Sequence, residues 1–197
     1  MKTLVFMALL LAWPASIVAQ DRDKVDGVIL FRRDIKFILK EPDGWVLDTQ
    51  SGRDAAVEAV LYPKGSSWKN SVVVMYARVV QKDETQSTVE KVISEDIADF
   101  MKLSKDSTVA DSPSLPTRDK KNAIVKVFYD AANKNYESVA FIDNQKVVVV
   151  IALSSRTKVE YEKALPAFKQ LVASYFEFTL VGKQQTHKNI EETAGLR

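Results

Sequence analysis

The stretch NAIVKVFYDAANKNYESVAFIDNQKVVVVIALSSRTKVEYEKALPAFKQLVASYFEF, Asn122 to Phe178, decides the fold. It reads as three strands and a helix. Ile124, Val125, Val127, Phe128 and Tyr129 form one β-branched and aromatic run, and Tyr136 with Ser138 to Ile142 forms a second. Lys146 to Leu153 (KVVVVIAL) is the third. Ala131 to Asn135 and Asp143-Asn144-Gln145 separate them with hairpin-length polar loops, so the three form an antiparallel meander. The third run has no polar break, which predicts a central strand covered on both faces.

Beyond Thr157, Phe168, Leu171, Val172 and Tyr175 recur at helical spacing opposite Lys163, Lys169, Gln170 and Ser174, predicting a helix over Lys158 to Phe176. Pro166 inside that span predicts a kink or a fresh helical start. The apolar stripe is a core face.

Working toward the N-terminus, Ser104 to Lys121 holds Pro113, Pro116 and many small polar residues. It reads as a long loop with a short strand at Thr108 to Ala110. Before it, Val89, Val92, Ile93, Ile97, Phe100 and Met101 trace one helical face to about Leu103. Ser87 as N-cap and Glu90 three residues later form a capping box. Ser71 to Gln81 (SVVVMYARVVQ) is a strong strand, paired as a hairpin with Ala55 to Tyr62 across the polar loop Lys64 to Asn70. In Glu41-Pro42-Asp43-Gly44-Trp45, proline presets φ and Gly44 can take a positive φ, so the chain turns and Trp45 anchors the turn to the core. Val28 to Phe31 and Ile35 to Leu39 are short strands.

Met1 to Ala19 has the form of a secretory signal peptide: Lys2, an apolar run from Leu4 to Ala12, and a small-residue boundary after which cleavage is expected before Gln20. Its removal leaves 178 residues, with 27 basic side chains against 26 acidic. Such a balance makes no field for nucleic acid or for a polybasic membrane surface, and no stable membrane anchor is expected after cleavage. One domain over residues 35–178 follows, preceded by a segment at 20–34 and followed by a Gln-, Lys- and Glu-rich flexible tail at 179–197. With no cysteine, an exported chain must be held by packing alone.

The order of strand, Pro-Asp-Gly-Trp turn, hairpin, helix, meander and closing helix resembles the PsbP-like superfamily, which includes the photosystem II extrinsic subunit, periplasmic DcrB-type proteins and a Ran-binding nuclear protein. Phe37-Ile38-Leu39-Lys40-Glu41-Pro42-Asp43-Gly44-Trp45 carries the resemblance early, and Leu165 through Leu171 to Ser174-Tyr175-Phe176 carries it late. The resemblance implies an α+β fold, a central antiparallel sheet with helices on both faces (an α/β/α sandwich). It also implies an accessory or protein-binding module rather than an enzyme. The chain lacks the histidine ligands and the long basic N-terminal segment of the photosynthetic members.

Cysteine, histidine and phosphate-loop constellations are not assembled by this composition, while a carboxylate pair brought together in space stays open. Cysteine nucleophiles do not exist, and a Ser-His-Asp arrangement would need His187, the sole histidine, in the C-terminal tail. One histidine and no cysteine make no zinc site, and the six glycines are scattered singly, so no phosphate loop and no cofactor are expected. Asp21, Asp23 and Asp26 miss calcium-loop spacing. Glu95, Asp96 and Asp99 are the densest acids and read as a solvated helix face. Trp68, among Gly65, Ser66, Ser67, Lys69 and Asn70, is the candidate partner-binding residue, against the reading that it lids the hairpin. The expected function is an exported, non-enzymatic binding or accessory module for a protein partner or small ligand. The alternative is a hydrolase or lipid-handling protein with a site of carboxylates or an apolar pocket.

Overall fold

The computed structural model describes residues 26–32, 35–82, 88–102 and 105–178. The predicted signal peptide, the tail, Asp21, Asp23, Ser87, Leu103 and His187 lie outside the described residues. In chain order the elements are β1 (Val28–Arg32), β2 (Ile35–Leu39), β3 (Trp45–Asp48), a 3-10 turn (Arg53–Ala55), β4 (Ala59–Pro63) and β5 (Val73–Gln81). Then come α1 (Val89–Met101), β6 (Ser107–Pro116), β7 (Asn122–Asp130), β8 (Asn135–Asp143), β9 (Val147–Ser155), α2 (Lys158–Ser174) and β10 (Phe176–Glu177). Two antiparallel sheets result, a large one of order β3-β4-β5-β9-β8-β7-β6 and a small one of order β1-β2-β10.

The valine run is the middle strand of the large sheet. β9 pairs with β5 from Val73↔Ser155 to Gln81↔Val147, and with β8 from Tyr136↔Ser155 to Asp143↔Val148. Val147 to Leu153 are each buried to within 2% of full burial. Because strand side chains alternate, the run serves two cores at once. Val147, Val149, Ile151 and Leu153 share a cluster with Phe168, Leu171 and Val172 of α2 and with Phe37 and Leu39 of the small sheet. Val148, Val150 and Ala152 share another with Val89, Val92, Ile93 and Phe100 of α1. Each such side chain removed from water contributes about 1.5–3 kcal/mol, which is how a cysteine-free chain holds its shape.

The Pro-Asp-Gly-Trp turn forms as read. The Trp45 N–H donates to the Pro42 carbonyl at 3.1 Å, Gly44 takes φ +80°, and Trp45 is buried. A side chain at Gly44 would be strained in that conformation.

Several boundaries differ from expectation. The region read as a long loop with a short strand at Thr108 to Ala110 holds that strand within the longer β6, ten residues at the sheet edge paired with β7, with an irregularity between Ser112 and Leu115 around Pro113. Proline is tolerated there because an edge strand pairs on one side only. The N-cap of α1 is Thr88, whose hydroxyl accepts from the Lys91 N–H at 3.3 Å, one residue later than the predicted Ser87 cap. Met101, assigned to the apolar face, is 44% exposed. The predicted Ala55–Tyr62 strand shrinks to β4, since Arg53–Ala55 form a 3-10 turn that ends in positive φ at Ala56. Helix α2 runs continuously through Pro166 with no fresh start, and stops at Ser174 because the chain turns there into β10 beside β2.

Candidate functional site

Two hairpins and β10 converge on one charged groove with a volume of about 820 Å³. The β6–β7 turn closes on itself: the Thr117 N–H donates to the Lys121 carbonyl at 2.9 Å, and the Lys121 N–H donates back to the Thr117 hydroxyl oxygen at 3.0 Å. Thr117 also donates to Asp119. This fixes Asp119 and Lys121 on the groove wall. The β8–β9 turn is held by the Asn144 N–H on the Val147 carbonyl at 3.0 Å, with Gln145 and Lys146 exposed at its rim.

Lys121 is the hub. Its ammonium meets Glu177 of β10 at 2.5 Å, Asp119 at 3.8 Å, and the side-chain carbonyl of Asn144. Asn144 is 7% exposed and donates from Nδ2 to the Tyr175 hydroxyl at 2.8 Å, so its amide is satisfied in both directions. Burial pushes the Tyr175 hydroxyl far up from its ordinary range, which keeps it a neutral hydrogen-bonding group; its ring packs on Phe37 at 5.5 Å. The Glu177 N–H donates to Asp119 at 3.3 Å, and the Arg118 N–H to the Tyr175 carbonyl at 3.0 Å. Across the groove Lys82 pairs with Asp143 and donates to the Asn144 carbonyl at 2.7 Å. One lysine therefore ties the small sheet to the large one. The walls present three ammonium and three carboxylate groups, Lys82, Lys121 and Lys146 against Asp119, Asp143 and Glu177. Such a charge-balanced surface suits polar recognition by matched hydrogen bonds and ion pairs.

None of these residues stood out in the sequence. Asn144 and Lys121 sit in turns where such residues are ordinary, and the pairing of Glu177 with Lys121 spans 56 positions. A weak signal existed in the crowding of Asp, Asn and Lys at both turns.

Trp68 lies elsewhere, half-buried in the β4–β5 loop with its ring edge-on to Tyr76 at 6.4 Å. Tyr76 borders a smaller hollow of about 280 Å³ beside α1, together with Arg78, Asp96, Phe100 and Glu137. Burial first, then the Glu137 charge, drives the Tyr76 hydroxyl well above its usual range. The acids of α1 do not gather as a carboxylate pair. Asp96 takes a forked hydrogen bond from Arg78 at 2.6 and 2.5 Å, while Asp99 meets Lys102 at 2.8 Å. Asp26 pairs with Lys40. Among the described residues no group of three or more Asp, Glu or His is placed to hold a metal.

No family model matches the sequence, and no curated protein matches it either. Solved structures are similar to about three quarters of the chain. One is cyanobacterial PsbP (CyanoP) from Synechocystis sp. PCC 6803, at 11% identity and TM-score 0.48, covering 74% of this chain and 87% of that one. Another is LpqN of Mycobacterium tuberculosis, described as involved in cell envelope biogenesis, at 14% identity and TM-score 0.47, covering 73% and 83%. The first of these bears the name of the PsbP-like superfamily that the Pro-Asp-Gly-Trp turn and closing helix resemble.

Proposed function

We propose that this protein is an exported, non-enzymatic binding module, and that the groove between the β6–β7 and β8–β9 turns is its recognition surface. One observation carries the reading: the groove is open, and its polar walls are already knit together around Lys121. A catalytic acid–base pair needs groups held apart in distinct environments, with one poised to move a proton. Here Asp119, Asp143 and Glu177 each face a lysine. Thr117, whose hydroxyl donates to Asp119, is 7% exposed and engaged within its own turn. The exposed rim of the groove is Asp143, Gln145 and Lys146, a polar edge for a partner protein. A helix on each face of the large sheet belongs to the same proposal; the alternation of β9 between the α1 and α2 clusters supports it.

The test uses the purified protein as bait with extract from its native source. The double variant Gln145→Glu with Lys146→Glu should lose the captured partner at unchanged melting temperature. A hydrolytic turnover that disappears in Asp119→Asn or Asp143→Asn would overturn the reading in favour of an enzyme.

A further inference from the structure

Strand β1 is an edge of the small sheet, and among the described residues its second side pairs with nothing. In an antiparallel ladder alternate residues turn their N–H and C=O groups to opposite sides, so every second residue of β1 offers a donor and an acceptor outward. Natural edges are blunted by charge, proline or a bulge. This one instead exposes apolar side chains, Ile29 at 38% and Phe31 at 63%. Alongside it runs a groove of about 490 Å³, walled by Val28 to Phe31 on one side and by Thr49, Arg53 and Val57 on the other. The groove is thus lined by four consecutive residues of this edge strand.

The occupant can be read from these features. Five residues of strand span about 17 Å, the length of one short extended segment. Arg53 is exposed, and among the described residues its guanidinium has no hydrogen-bond or ion-pair partner. The Glu58 carboxylate, also on that wall, already has a partner of its own. At the far end Lys36 lies over the Phe31 ring, 5.4 Å from its centre. Among the described residues the unmet charge of the groove is positive.

We propose that β1 accepts an extended, acidic and apolar segment of a partner protein as an added strand. The partner's alternate apolar side chains extend the row of Ile29 and Phe31, and a carboxylate of the segment meets Arg53. This is strand addition at a sheet edge, in which main-chain hydrogen bonds supply affinity and alternate side chains supply selectivity. It rests on the binding-module reading but uses a surface separate from the hairpin-end groove. Failure here leaves the test of that groove standing, and the reverse.

The probe is a fluorescein-labelled octapeptide, Thr-Val-Thr-Val-Glu-Val-Thr-Val, titrated with the full chain and followed by anisotropy. Saturable binding is expected, and methylation of alternate backbone nitrogens of the peptide should weaken it by at least about tenfold, because those hydrogen bonds are removed. Arg53→Glu should weaken it by about tenfold, and a peptide with lysine in place of glutamate should then bind the variant better than the parent. Arg53 is exposed, so its melting temperature should not move. No saturable binding, or binding indifferent to backbone methylation, would overturn the proposal. So would a dimer in sedimentation velocity that Phe31→Glu dissociates, since the edge would then belong to a second copy.

Discussion

The two faces of β9 carry different loads. Val149 and its odd-numbered neighbours belong to a cluster of twenty-three buried residues that reaches α2, Trp45 and the small sheet. Val148 and its even-numbered neighbours belong to one of ten, under α1. The first side is closed by apolar packing. The second thins out into the hollow beside Tyr76, where the forked Arg78–Asp96 pair takes over from packing. Stability therefore concentrates on the α2 side, and the α1 side is the face with room to change.

The largest effect should come from Val149→Asp, which buries an unpaired charge in the thicker core and should destabilise by more than about 4 kcal/mol. A variant that melts within a degree or two of the parent would mean that β9 is not a two-sided core strand. Next, Leu171→Ala on α2 should lose about 3 kcal/mol in denaturant titration and Ile93→Ala on α1 about 2, because the site with fewer packed neighbours relaxes more readily. Reversal of that order would erase the difference between the faces.

Trp68→Ala tests the margin of the α1 side. Loss of the edge-on contact with Tyr76 should remove about 1 kcal/mol and lower the melting temperature by roughly 2–4 °C. A partner lost without any change in melting would support Trp68 as a contact residue.

The smallest effect concerns Asp48 at the end of β3. The Ser51 hydroxyl, then the Ser51 and Gln50 N–H groups, lower its carboxyl from 3.8 to about 2. A depressed folded-state value stabilises above the unfolded value, so the contribution is full above about pH 4 and is lost as pH falls toward 2. At a half-exposed site it is worth below about 1 kcal/mol. Asp48→Asn should flatten the stability curve in that window, as measured by denaturation at pH 2.5 and pH 5.

What the sequence determined by itself is the material of this contrast. An uninterrupted valine run has one low-energy destination, a strand covered on both faces, and helical spacing in Val89 to Phe100 and in Phe168 to Val172 supplies the covers. The Pro42–Trp45 turn was equally legible, because glycine at that position is a local requirement. These are short-range signals, in which each residue's chemistry speaks for its own position.

Only the tertiary structure decided the rest. β6 and β10 exist because a neighbour offers hydrogen bonds, β7 in one case and β2 in the other, and neither Pro113 nor the two residues Phe176 and Glu177 announce a strand alone. The candidate site was invisible for the same reason: Lys121, Asn144 and Glu177 come from three separate turns and strands, and only the closure of two sheets on each other brings them together. Periodicity reports which face of an element is buried. It does not report which distant polar groups will share an edge, since that depends on how many strands lie between them.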